Sequence, residues 1–171
     1  MMKSSRALAR KILCALLAAG VVGVSGSALA NSIGEVKVDG SIVPVTPSGA
    51  FSIGNDNSSV SISNSGTALA ISFSTDVANI NGKNIDIKSE NGAGAIVDND
   101  GPHLYLGNAN TEKISIDSGD DGIIVIKGYA EIKAKEISFN VRAAGCAAIW
   151  AQNNTSVKIF TPSVTCSRIR V

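Results

Sequence analysis

Aromatic residues make up only 4% of this 171-residue chain. A core packed on bulky rings is therefore excluded, and the interior has to be built from small and β-branched aliphatic side chains. There is a single histidine, His103, and no zinc, phosphate-loop or nucleophile constellation is present. Helical periodicity is missing as well, since no stretch after residue 30 repeats its apolar residues at helical spacing. The first 30 residues hold four of the 15 Lys and Arg and none of the 14 Asp and Glu, which leaves the rest of the chain at a formal charge of −3. Nucleic acid is excluded as a partner, because binding it calls for clustered positive charge.

A long apolar run occurs once, over residues 12–24, behind the basic residues Lys3, Arg6, Arg10 and Lys11. Ser25, Gly26 and Ser27 end it, and Ala28-Leu29-Ala30 forms a small-x-small cleavage site. Its 13 residues fall short of the about 20 that a bilayer-spanning helix needs. Residues 1–30 read as a cleaved signal peptide, and residues 31–171 as one exported domain. Cys14 lies at the start of the run rather than after it, which argues against a lipoprotein site. Export permits a disulfide between Cys146 and Cys166. In the register below, however, one points inward and the other sits in a corner, so two thiols are expected.

What the sequence does have is repetition. Residues 136–160 hold three short pieces of alternating apolar and polar character: Ile137 and Phe139, Ile149 and Ala151, Val157 and Ile159. Period-two alternation marks strands with one buried face, and three such pieces cannot bury that face on one another alone. Copies of the first piece recur as Val36/Val38, Val60/Ile62, Ile85/Ile87, Ile114/Ile116, Ile137/Phe139 and Val164/Cys166, at steps of 23 to 29 residues. A second offset of eight residues links Val43/Phe51, Leu69/Val77, Ile96/Leu104, Ile124/Ile132 and Ile149/Val157. A degenerate repeat of this length with three strands per turn predicts an all-β fold, a right-handed parallel β-helix. Five rungs are expected, starting at Val36, Val60, Ile85, Ile114 and Ile137, with a partial sixth from Val164.

The predicted inward columns are Val36, Val60, Ile85, Ile114, Ile137; Val43, Leu69, Ile96, Ile124, Ile149; and Phe51, Val77, Leu104, Ile132, Val157. Pro44 falls inside a strand of rung one, which suits an edge. Residues 31–35 look too short to cap that rung. Asn79 and Asp98 misfit, because alternation points both inward; Asp98 is expected to end its strand and turn to the corner. The short sixth rung leads to the expectation of a domain truncated at its C-terminus.

Carboxylate pairs stand at Asp98/Asp100 and Asp120/Asp121, with His103 nearby in sequence. Glycosidase chemistry needs two carboxylates converging across a sugar, and Asp and Asn favour turns. No acidic column with a facing Arg or Lys repeats across rungs, so no catalytic residue is assigned. The segments DSGDDG at 117–122 and DNDG at 98–101 depart from calcium-loop spacing. They read as hydrated corners, and no metal or cofactor is assigned.

The outward positions of the second strands are uniformly apolar: Ile42, Ala68, Ala95, Ile123, Ala148, and Pro44, Ala70, Val97, Val125, Trp150. Ile42, Val97, Ile123, Val125 and Trp150 are the candidate partner-binding residues, with Trp150 as anchor. The strip is expected to support self-association or contact with a host-surface ligand.

A signal peptide followed by rungs such as NGKNIDIKSENGAGAIV and AAIWAQNNTSVKI resembles the N-terminal part of an autotransporter passenger. The resemblance implies a β-helical, pectin-lyase-like, non-catalytic scaffold or adhesin of the cell surface. It also implies a C-terminal outer-membrane β-barrel as translocator, which this sequence lacks. Without one, export ends in the periplasm or the medium. The alternative is a carbohydrate-active β-helix enzyme, a lyase or hydrolase, whose site lies outside these residues.

Overall fold

A computed structural model of the chain describes residues 31–73, 76–152 and 155–166. The signal-peptide expectation for residues 1–30 lies outside them. Among the described residues every regular element is a strand. The chain opens with β1 (Ser32–Ile33), β2 (Glu35–Val38), β3 (Ser41–Ile42) and β4 (Ala50–Ile53). A first full turn follows as β5 (Ser59–Asn64), β6 (Leu69–Ile71) and β7 (Val77–Ile80), and a second as β8 (Asn84–Ser89), β9 (Ala95–Val97) and β10 (His103–Leu106). The third is β11 (Lys113–Ser118), β12 (Ile123–Val125) and β13 (Tyr129–Lys133), and the fourth β14 (Glu136–Val141), β15 (Ile149–Ala151) and β16 (Ser156–Phe160). Strand β17 (Ser163–Cys166) begins another.

Like strands of successive turns pair in parallel into three sheets. Sheet 1 runs β3-β2-β5-β8-β11-β14-β17, sheet 2 runs β1-β6-β9-β12-β15, and sheet 3 runs β4-β7-β10-β13-β16. The chain is thus a parallel β-solenoid of about four turns. The core is one continuous set of aliphatic columns. In sheet 1, Val60, Ile85, Ile114, Ile137 and Val164 stack in register, as do Ile62, Ile87, Ile116, Phe139 and Cys166. From Val60 to Ile137 the first of these is the expected column, but antiparallel pairing sets Val36 opposite Ile62 and Val38 opposite Val60. In the middle turns Ile62, Ile85, Ile114 and Ile132 are 0% exposed, and each such burial is worth about 1.5–3 kcal/mol over exposure.

Three expectations change. The predicted first rung is a cap: β1 and β2 pair antiparallel with β6 and β5, and β3 turns back on β2. Asp39 and Gly40 make that hairpin at φ 51° and 80°. Both angles are positive, as a two-residue Asp-Gly hairpin turn requires. Thus residues 31–42 cap sheets 1 and 2 at this end, and about four turns replace five.

The second change is register. In β9 and β12 the residues facing the main core are Ala95, Val97, Ile123 and Val125, while Ile96 and Ile124 point the other way. Ile96 and Ile124 are stacked neighbours as predicted, but on the outer side. In sheet 3, Ala78 rather than Val77 faces inward, and Ile132 stacks on Leu106 and Ile159. The cause is the corner between sheets 2 and 3, whose length varies from turn to turn. A one-residue slip inverts a strand, so no fixed eight-residue offset holds. The slip also explains the two misfits. Asn79 lies outward beside Ser52 and Tyr105, and Asp98, past the end of β9, accepts the Asn99 N–H at 2.8 Å.

The third concerns the corners between sheets 1 and 2, which bury polar groups at Ser89, Ser118, Asp120 and Asp121. Ser89 Oγ lies 2.6 Å from the carbonyl oxygens of both Gly66 and Gly92, which share its one proton, and it accepts the Gly92 N–H. Ser118 Oγ donates to Asp120 O at 2.9 Å. Successive turns approach closely here: a Cβ on Gly94 would stand 2.6 Å from Gly122 O, and one on Gly122 2.4 Å from Ala148 O. Glycine is required by space at both. Asp120 and Asp121, expected to be hydrated, are 8% and 1% exposed in this corner.

Candidate functional site

A solenoid filled by its own side chains can act only through its corners and its outer faces, and the three faces differ. Sheet 1 carries a hydrated ladder. Ser138 Oγ donates to Ser115 Oγ at 3.3 Å, Asn140 donates to Asp117 at 3.2 Å, and Lys113 pairs with Glu136 at 3.3 Å. These groups satisfy one another between turns.

Sheet 2 was the predicted docking strip, and the structure corrects it. Val97, Ile123 and Val125 are 0% exposed and belong to the main core. Ile42 lies on β3, at the edge of sheet 1. Of the five candidates Trp150 alone stands on the outer side of sheet 2, against Ile124. That outer column, Ala70, Ile96 and Ile124 with Ala93, forms a second apolar cluster exposed by no more than 6%. It offers little accessible area.

Sheet 3 carries the accessible chemistry. On its outer face His103 stacks on Tyr129 along the ladder, and Tyr105 stacks on Glu131 and then Lys158. The three rings form a cluster, with centroids 5.4 Å apart for His103 and Tyr129, 5.8 Å for the tyrosines, and 6.1 Å for His103 and Tyr105. The chain has two tyrosines and one histidine in all, and this single patch holds every one of them. His103 Nδ1 lies 3.3 Å from Tyr105 Oη. Tyr129 Oη donates to Glu131 Oε2 at 2.5 Å. That bond to a carboxylate, helped by burial and by Glu131's charge, pushes the Tyr129 phenol up to about 12. Lys158 Nζ stands 5.6 Å over the Tyr129 ring and Lys133 Nζ 5.7 Å over Phe160, within cation–π range. The stacked sheet sets the Cα atoms of these residues at ladder spacing. Strand alternation in the sequence could not assemble the patch. His103 and Tyr129 sit at strand starts whose pairing depends on corner length.

The carboxylates weighed for catalysis are engaged elsewhere. Asp100 is exposed and pairs with Lys127 at 3.3 Å. Asp120, Asp121 and Cys146 bring ligand-type atoms within 4.8 Å of one another. They are also bonded among the turns: Cys146 Sγ donates to Asp120 Oδ1 at 2.7 Å, and the Ala147 N–H donates to Asp121 Oδ1. Those bonds account for buried acids in a corner. Cys146 and Cys166 form no disulfide with each other.

Set against known proteins, the chain matches no family model, no curated protein and no solved structure.

Proposed function

We propose that this chain is a non-catalytic, exported scaffold of the adhesin type, a stiff solenoid that holds a side face out to a cell-surface partner. The reading rests on the outer face of sheet 3. There His103, Tyr105 and Tyr129 gather beside Glu131, Lys133 and Lys158 on a surface with no structural need for rings. Sheet faces that merely meet water carry serines, threonines and charges, as sheet 1 does. Clustered tyrosines are enriched at binding surfaces and among their hot spots. The apolar strip is dropped from the proposal, since most of its residues fill the core.

Beads coated with residues 31–171 should adhere to target cells. Tyr105→Ala with Tyr129→Ala should cut the adherent fraction at least five-fold while the far-ultraviolet circular-dichroism spectrum at the assay temperature stays that of wild type. Ser61→Ala with Ser115→Ala, on sheet 1, should change nothing. Undiminished adhesion by the tyrosine pair would move the function off sheet 3.

A further inference from the structure

The strongest unexplained polar site lies at the N-terminal end of the solenoid. Asp76 is 1% exposed. Its Oδ1 accepts the Gly49 N–H at 2.8 Å, and its Oδ2 accepts the Phe73 N–H at 3.0 Å and Asn31 Nδ2 at 2.5 Å. All three donors are neutral, and among the described residues no cation pairs with this carboxylate. A buried carboxylate is normally paired with a charge as well as hydrogen-bonded. Asn31 is held at every polar atom of its side chain: Nδ2 also donates to Pro47 O at 2.9 Å, and Oδ1 accepts the Ser72 N–H at 2.6 Å. The clasp therefore ties the first described residue to two separate corners.

Asn31 is also the residue that follows the Ala28-Leu29-Ala30 cleavage sequence. Hydrolysis of the Ala30–Asn31 peptide bond adds water across it, leaving a carboxylate on the leader and an α-amino group on Asn31, which takes up a proton. That ammonium is four bonds from Nδ2, roughly 3–5 Å by covalent geometry, and Nδ2 already touches Asp76. We propose that the Ala30–Asn31 bond is a processing site whose cleavage completes the fold. The new α-ammonium of Asn31 becomes the missing counter-ion of Asp76 and locks the cap onto the first turn. The uncleaved chain has only an amide nitrogen there, with no charge to offer. The inference rests on the exported reading above, but concerns the cap and not the adhesive face.

The test compares three forms of residues 31–171: one with a native α-amino group at Asn31, one acetylated at that amine, and one extended by Gly-Ser. Each is made with Asp76 and with Asp76→Asn. The free-amine form should melt about 3–6 °C above the acetylated form, with the extended form nearer the acetylated one. Asp76→Asn should erase the gap, as a coupled pair demands. If Asp76→Asn fails to fold, acylation of the Asn31 amine by a succinimidyl ester serves instead. It should run at least ten-fold slower in the native wild-type domain than in urea. Equal melts, a gap that survives in Asp76→Asn, or equal acylation rates would overturn the proposal, as would an exported protein whose N-terminal residue is not Asn31. Adhesion of the acetylated form separates the two ideas, since the sheet 3 reading stands or falls on it independently.

Discussion

The two ends of the solenoid solve opposite halves of one problem. At the N-terminal end the chain reverses, and antiparallel β1 and β2 lie across the edges of sheets 2 and 1. Val36 and Val60 are 2% and 1% exposed there. At the other end β15, β16 and β17 are the last strands of their sheets among the described residues, and Ile159, Phe160 and Val164 are 43%, 46% and 51% exposed. One turn back in the same columns, Ile132 and Ile137 are 0% exposed. Every turn of a parallel coil offers its backbone edge to a further turn, so stacking by itself never terminates. Reversing the strand direction does terminate it in sheets 1 and 2, where only the two-residue strands β3 and β1 lie outermost, while in sheet 3 parallel β4 remains at the edge.

The largest expected effect tests whether a column's value depends on having a turn above it. Ile132→Ala should cost about 2–5 kcal/mol in urea unfolding, as cavity-forming substitutions do. Ile159→Ala, the next residue in that column, should cost less than about 1 kcal/mol, because much of its surface is already wet. Equal losses would mean that the last turn is covered in solution.

The closing end breaks at Gly34. A Cβ there would stand 2.1 Å from Ser63 O, a backbone atom of β5 that cannot swing aside. Gly34→Ala should cost about 1–3 kcal/mol. Hydrogen exchange should show protection lost in β1, β2 and β5 and kept in β11 and β14. Loss spread evenly over all turns would show that the cap and the coil unfold as one unit.

Much of this was legible in advance, and the failures share one origin. Sheet 1 could be read because its strands are six residues long in the middle turns and carry two inward aliphatics each. Sheet 2 could be read only in part, because three-residue strands such as β9 and β12 are apolar at every position, so alternation says nothing about which side is inside. In sheet 3 Phe51, Leu104, Ile132 and Val157 do face the core as expected, and Val77 does not. Asn79 and Asp98 were the available correction: a polar residue in an inward slot is better explained by a shifted strand than by a buried misfit. Asp39-Gly40 was the other, since that dipeptide between alternating residues is a stronger hairpin signal than a loose 24-residue spacing is a rung. The sheet 3 patch and the Asp76 clasp join residues tens of positions apart, and no local pattern brings them together.

A smaller effect lies between the ends, on the tyrosines. Tyr129 is held protonated by Glu131, so its phenol should ionise near 12 in the folded protein, against about 10 unfolded. A raised folded value means the bond's stabilisation is complete below pH 10 and is lost as pH rises from 10 towards 12. Absorbance at alkaline pH should show a late phenolate step that Tyr129→Phe removes and Glu131→Gln brings back towards 10. Ile159→Ala should leave the step in place, because Glu131 is on Tyr129's own strand and not on the open turn.

The smallest effect compares charges placed at the two ends. Ile42 is 65% exposed on the outermost strand of the closed end, and Val164 51% exposed on the open one. By exposure alone both are surface residues, and Lys at either should shift unfolding by only about 0.5 kcal/mol. Their settings differ, however. Ile42 lies on a two-residue strand that has little edge to offer. Val164 crowns an inward column beside an edge of four residues, and Lys there puts charge on a surface open to strand pairing. Sedimentation at rising protein concentration should therefore show self-association weakened by Val164→Lys and untouched by Ile42→Lys. A wild-type domain that stays monomeric throughout would mean that the open edge, though unpaired among the described residues, is not adhesive to its own kind. An equal response to both substitutions would mean that reversing the strands does not distinguish the ends at all.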